Sequence, residues 1–254
     1  MNRLRKQLNS IGISPGDVVL MHSSMKALGT ELTPEGFLLE LMQALTDNGT
    51  LLLPALTYEN VTLEKPFFSL TDSEPCVGIL PKTFLKMDGV KRSMHPTHSV
   101  CAWGAKADEL TGRHIQDNTP VGPYSPFMLL TEVGGKVLFV GDILHSCTLL
   151  HGVEEIVNAP YLMNKDMTEY TLADAFGVIS KKLYYTHNFK GWNQEYPRIR
   201  DILTFPDIRF GTVYNAPCTL FDAKKLKTAA IERFQEDIFA FVSPAEDSCQ
   251  QPLP

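Results

Sequence analysis

Three runs of almost unbroken apolar residues limit the fold most: VVLMH (18–22), LLLPAL (51–56) and KVLFVGD (136–142). Turn formers precede each one: SPGD, TDNGT and a glycine pair. A strand with one wet face alternates apolar and polar residues, whereas a strand without alternation needs cover on both faces. TPEGFLLELMQAL, between the first two runs, carries a helix start, with Thr33 as N-cap, Pro34 at the first position and Glu35 in the first turn. Strand, helix and strand on short links predict an α/β unit. We expect one domain over 1–254, with a central mixed, largely parallel sheet flanked by helices and a less regular C-terminal part.

The remaining elements are read from local pattern. Residues 2–11 are a short helix ended by Gly12, and SSMKALG is a loop. The stretch 58–77 is irregular, a length that in a compact domain is often functional. VGILPKTFLKM and KADELTGRH are helical, and RSMHPTHSVCAWG leads into a strand ending at Gly104. YTLADAFGVISKKLYYTHNF suggests two strands and DAKKLKTAAIERFQEDIFAFV a helix, while the polar tail SPAEDSCQQPLP is expected to fray.

Composition removes whole classes of function. With 44% hydrophobic and 20% charged residues, the chain has the composition of a folded globule. Its net charge of −6 and lack of a basic stripe argue against nucleic acid as partner. No window reaches the roughly 18–20 apolar residues of a membrane span. The five cysteines, odd in number and without a CxxC pair, are no disulfide framework or zinc knuckle. The expectation is a soluble, cytoplasmic protein with reduced thiols.

CTLLHGVEEIV (147–157) holds the first candidate site. His151 and Glu154 are three apart, so on a helix they share a face, and a carboxylate there fixes the imidazole tautomer as a general base requires. The plain alternative is a core histidine beside a solvent-facing acid. Cys147, four residues before His151, is a candidate nucleophile or a small buried thiol. His95 and His98 in HPTHS could join His145 or His151 at a metal, but Pro96 disfavours the helical geometry that would align the first two. HSS (22–24) follows the first strand and offers hydroxyls and backbone N–H groups to an anion, without a GxGxxG or P-loop pattern. Ser125 in GPYSP reads first as part of a rigid turn.

Taken in order, these segments resemble the aminoglycoside 3-N-acetyltransferases, the antibiotic N-acetyltransferase family. The resemblance is carried by GDVVLMHSSMKALG, GTLLLPALTY, RSMHPTHSVCAWG, GPYSP and GGKVLFVGDILHSCTLLHGVEE, with a weaker match at LFDAKKL. It implies an acyltransferase that uses acetyl-coenzyme A to acetylate an amine of a small, polycationic acceptor, and a link to antibiotic resistance. His151 would be the general base, Glu154 would orient it or contact the amine, and Thr148 would lie near the thioester. Ser23, Ser24, Lys26, Ser99 and Ser125 would be cofactor contacts, and no metal is implied. Residues 1–160 would form the cofactor side and 161–254 the acceptor side. Glu155, Asp166, Glu169, Asp174 and Asp222 are the acids available to a cationic acceptor. The chain departs from the family at His145, where several members carry Asn or Asp, and over about 160–215, which is shorter and unlike them. Two other readings stay open: a metal- or Cys-dependent hydrolase, and a non-catalytic coenzyme A-binding protein.

Overall fold

A computed structural model of the chain describes residues 3–29 and 31–245. In order the elements are α1 (Arg3–Ser10), β1 (Val18–Ser23), α2 (Met25–Leu28), α3 (Pro34–Leu45), β2 (Thr50–Pro54), β3 (Phe67–Ser69), α4 (Ile79–Phe84), β4 (Lys91–Arg92), β5 (Val100–Gly104) and α5 (Ala107–Thr111). They continue with α6 (Pro126–Glu132), β6 (Lys136–Val140), α7 (Thr148–Ile156), β7 (Thr168–Ala173), β8 (Ile179–Tyr184), β9 (Trp192–Gln194), β10 (Ile208–Val213), β11 (Ala216–Asp222), α8 (Ala223–Glu236) and β12 (Val242–Pro244).

The three apolar runs become β1, β2 and β6, adjacent at the centre of a seven-stranded sheet of order β10-β11-β6-β1-β2-β5-β4. β1 pairs parallel with β2 (Leu20 opposite Leu52) and with β6 (Leu20 opposite Val137). Both faces are covered, as the lack of alternation requires. Val18, Leu20, Leu52, Val137 and Phe139 pack with residues of α5, α6, α7 and α8. Val19, Met21, Leu51, Leu53, Leu138 and Val140 pack with residues of α1, α3 and α4.

The expectation of a largely parallel sheet needs correction. The pairs outside the central three strands are antiparallel: β11 on β6, β10 on β11, β5 on β2 and β4 on β5. The reason is connectivity. β10 and β11 form a hairpin through Tyr214, at φ 53, and a hairpin can only pair antiparallel. That hairpin left little trace in sequence, because Arg209, Phe210, Gly211 and Thr212 are not buried.

Helix starts are laid down locally. The Thr33 hydroxyl accepts from Gly36 N at 3.0 Å, and Ser125 caps α6 by accepting from Met128 N at 3.3 Å. SSMKALG is not wholly loop: Met25–Leu28 make one helical turn, closed by Gly29 at φ 54. In α7, Gly152 lets two helices approach, since a Cβ there would run into the sulfur of Met128 on α6 and meet Val121 at 2.8 Å. Two small sheets stand outside the main one, β3-β7-β8 and β12-β9. The hairpin read from YTLADAFGVISKKLYY is β7–β8, paired from Thr168↔Tyr184 to Ala173↔Ile179. Of the tail expected to fray, Ser243 and Pro244 instead belong to β12 and pair with Asn193 and Trp192 of β9, and 246–254 lie outside the described residues.

Candidate active site

A cavity of about 770 Å³ opens where β1, β2 and β6 end. This is where open α/β sheets place their ligands, because loops and helix starts converge there. His22 and Ser23 at the end of β1 line it, with Leu56 after β2 and Ser146, Thr148 and His151 after β6. The opposite wall comes from the C-terminal part and includes Tyr170 on β7, Thr186, His187 and Phe189 after β8, and Gln194 on β9.

The helical pair predicted from spacing is formed. His151 Nδ1 lies 3.1 Å from Glu154 Oε2 on α7. Glu154 is fully buried, and two phenols complete its environment. Tyr196 donates to Oε2 at 2.7 Å and Tyr161 to Oε1 at 3.0 Å. Burial, and then the nearby Glu154, raises both phenols above the usual tyrosine range, so they remain protonated donors. Tyr196 also lies 2.7 Å from His151 Nδ1. A phenol has one hydrogen, which Tyr196 gives to Glu154, so His151 Nδ1–H donates to the phenol oxygen and the carboxylate. Nε2 is then the lone-pair nitrogen of an imidazole on the cavity wall. Leu149, Leu150 and Val153 of the same helix are buried, whereas Ile156 faces outward at 49% exposure.

Other predicted residues divide. Ser23 and Thr148 line the cavity. Ser24 precedes α2, and Lys26 on α2 is exposed; neither lines it. Ser99 and Ser125 are fully buried and do not line it either. Ser99 donates to Ala55 O at 2.7 Å and accepts from the buried Arg92 at 2.9 Å, while Ser125 holds the start of α6. The structure thus gives these two hydroxyls work inside the scaffold rather than on the cavity wall.

Of the residues of the hydrolase reading, His98, His145 and His151 line the cavity but form no metal site. Cys147 is in the core, and burial pushes its thiol up to about 12, away from thiolate character. His95 is buried, with Nδ1 accepting from the backbone of Thr97 and His98 and its ring stacked on His114 at 4.8 Å. Among the described residues no three His, Cys, Asp or Glu side chains are placed to hold a metal ion. None of the acids proposed for the acceptor lines the cavity itself. Glu169 pairs with Lys181, Asp174 closes the β7–β8 turn, Asp222 caps α8 and Glu155 is bonded to His187. Asp166 is exposed and lies outside the cavity lining.

Sequence reading passed over Tyr161, Tyr196 and His187. The doubled glutamate after His151 was the available signal for His187, since a second acid on α7 faces a different neighbour. No pattern marks the tyrosines.

Comparison with known proteins converges on one family. The family described as Aminoglycoside 3-N-acetyltransferase matches residues 20–235. Aminoglycoside N(3)-acetyltransferase VII of Streptomyces paromomycinus is 32% identical over 190 residues, 68% of this chain and 66% of the relative, so the match spans just under two thirds of that relative's length. A histidine-to-alanine mutant of aminoglycoside acetyltransferase AAC(3)-IVa, in complex with a gentamicin, superposes with a TM-score of 0.81 at 26% identity, covering 97% of this chain and 92% of that one. AAC-IIIb, a binary complex with CoASH, gives 0.79 at 25% identity, covering 95% and 97%. The family match spans most of the chain and the fold superposes on solved members over nearly its whole length, and the chain belongs to the aminoglycoside 3-N-acetyltransferase family.

Proposed function

We propose that the protein transfers the acetyl group of acetyl-coenzyme A to an amine of an aminoglycoside or aminoglycoside-like acceptor, with His151 as general base. The observation that carries this reading is the cavity-facing imidazole whose Nδ1 is held by Glu154 and Tyr196. Support comes from two relatives, one solved with CoASH and one solved with a gentamicin after loss of a histidine.

The donor set fits a thioester arm. Imidazoles and the hydroxyls of Ser23, Ser146 and Thr148 form the wall below β1 and β6, and the described lining holds no Lys or Arg. Ser23 and Thr148 would bond the amides of a pantetheine arm, with Ser24 and the Lys26 ammonium nearer its phosphates. When bound, acetyl-coenzyme A supplies an activated acyl carbon. His151 Nε2 takes a proton from the amine as it attacks that carbon. Glu154 keeps Nδ1 protonated and offsets the charge that His151 gains. Residues 1–160 hold the donor in this reading, and the wall from 161 onward meets the acceptor.

The test is thiol release from acetyl-coenzyme A with a panel of aminoglycosides, using the wild type and His151→Ala. Release should require the amine and fall about two to four orders of magnitude in the variant, with coenzyme A binding retained. Undiminished release in His151→Ala would remove the base from His151.

A further inference from the structure

A second histidine–carboxylate pair stands beside the first. His187 follows β8, and its side chain, 8% exposed, lines the same cavity. Its Nε2 lies 3.0 Å from Glu155 Oε1, the residue after Glu154. Val121 N donates to the same oxygen at 2.8 Å. With Nε2–H given to Glu155, Nδ1 of His187 is the lone-pair nitrogen. The ring centroids of His187 and His151 are 4.9 Å apart, so one amine can meet both.

Resting on the acetyltransferase reading, we infer that His187, held by Glu155, is a second proton acceptor of this site and takes the first proton from the acceptor's ammonium group. An alkylammonium must lose two protons to become an amide, and a lone base would have to act twice. Here His187 Nδ1 takes the first, leaving a neutral amine. The amine then forms the C–N bond while His151 Nε2 takes the second proton. The C–S bond breaks, and the proton on His151 passes to the departing sulfur. The proton on His187 leaves to solvent. The sum is an ammonium and a thioester giving an amide, a thiol and one proton.

The surroundings keep His187 neutral before the acceptor binds. His187 faces His151 and Glu155 from α7, and His95 and His98 from the segment before β5. Thr119 bonds Glu155; beyond it stands Asp117, whose carbonyl accepts from Lys182 at 2.8 Å. Burial, and then His151, lowers His187 well below the usual histidine range, so it is unprotonated when the acceptor arrives. Burial pushes the Glu155 carboxyl up to about 7, within reach of a transferred proton.

His187→Gln keeps a donor to Glu155 and removes the base; Glu155→Gln keeps an acceptor and removes the charge. Each is compared with the wild type in kcat/KM for one aminoglycoside across pH 6 to 10, with thermal midpoints as the check on folding. The expected result is a loss of about 100-fold at pH 7 that disappears as pH passes the acceptor's own ammonium pKa. A merely structural role would lower the rate by the same factor at every pH, and that outcome, or no loss at pH 7, overturns the proposal. His151→Ala should stay slow throughout. If the wild type releases no thiol with any amine, the acetyltransferase reading fails first and this one falls with it. Should His187→Gln fail to fold, Glu155→Gln supplies the same profile.

Discussion

The central strands β1, β2 and β6 and the outlying strands β3, β7 and β8 are two groups of three with opposite surroundings. The first is buried on both faces and belongs to the main core. The second buries one side around Phe68, Tyr170, Leu172 and Tyr184 and leaves Phe67, Ile179 and Leu183 outward, with Phe176 at 92% exposure on its hairpin tip. The cavity lies between the groups, with His22 and Ser23 from one and Tyr170 and His187 from the other. The contrast teaches that one group fixes where the site is, and the other fixes what stands across it.

Acid should act on the seam and its flanks, where His22, His98 and His187 line the cavity with His95 and His114 buried nearby. His22, His95, His98 and His114 are buried and the His187 side chain is nearly so, and desolvation chiefly lowers the pKa values of all five, those of His22 and His114 to about 3. Below their unfolded pKa of about 6.5, the unfolded chain binds protons that the folded one refuses, so stability falls as pH drops. Glu155 and Asp117, raised to about 7 and about 6, act in the opposite sense over part of the window. Five histidines outweigh two carboxyls, so the thermal midpoint should fall steeply from pH 7 to pH 5, the largest of the expected changes. A flat midpoint would mean that these imidazoles are not buried as described.

Leu52, fully buried in β2, gauges the central group. Leu52→Ala should cost about 2–5 kcal/mol in denaturant unfolding, because the sandwiched site cannot collapse. A loss under about 1 kcal/mol would show that the centre tolerates a void. Leu183, 51% exposed on β8, gauges the other group, and Leu183→Ala should stay within about 0.5 kcal/mol. A larger loss would reveal that this outer face is covered in solution.

The same contrast explains what could be read in advance. VVLMH, LLLPAL and KVLFV are legible because burial on both faces is written into each residue. His151 and Glu154 are legible because their contact is local, three residues along one helix. Ile208–Val213 hid as the edge strand of the sheet, its residues 209–212 not buried, and with it the antiparallel share of the pairing. Tyr196 meets His151 across 45 residues, and His187 meets Glu155 across 32. Contacts that long depend on where the small sheets dock, and no periodicity in one chain records that.

The neighbouring glutamates of α7 have a mechanical consequence. Successive helical residues point about 100° apart. Glu154 therefore holds its histidine from the same helix, while Glu155 holds one from a distant segment. Turning α7 would carry His151 and Glu154 along together but pull Glu155 from His187 and Glu154 from Tyr196 and Tyr161, so residues outside the helix act as guy-lines on a single mast.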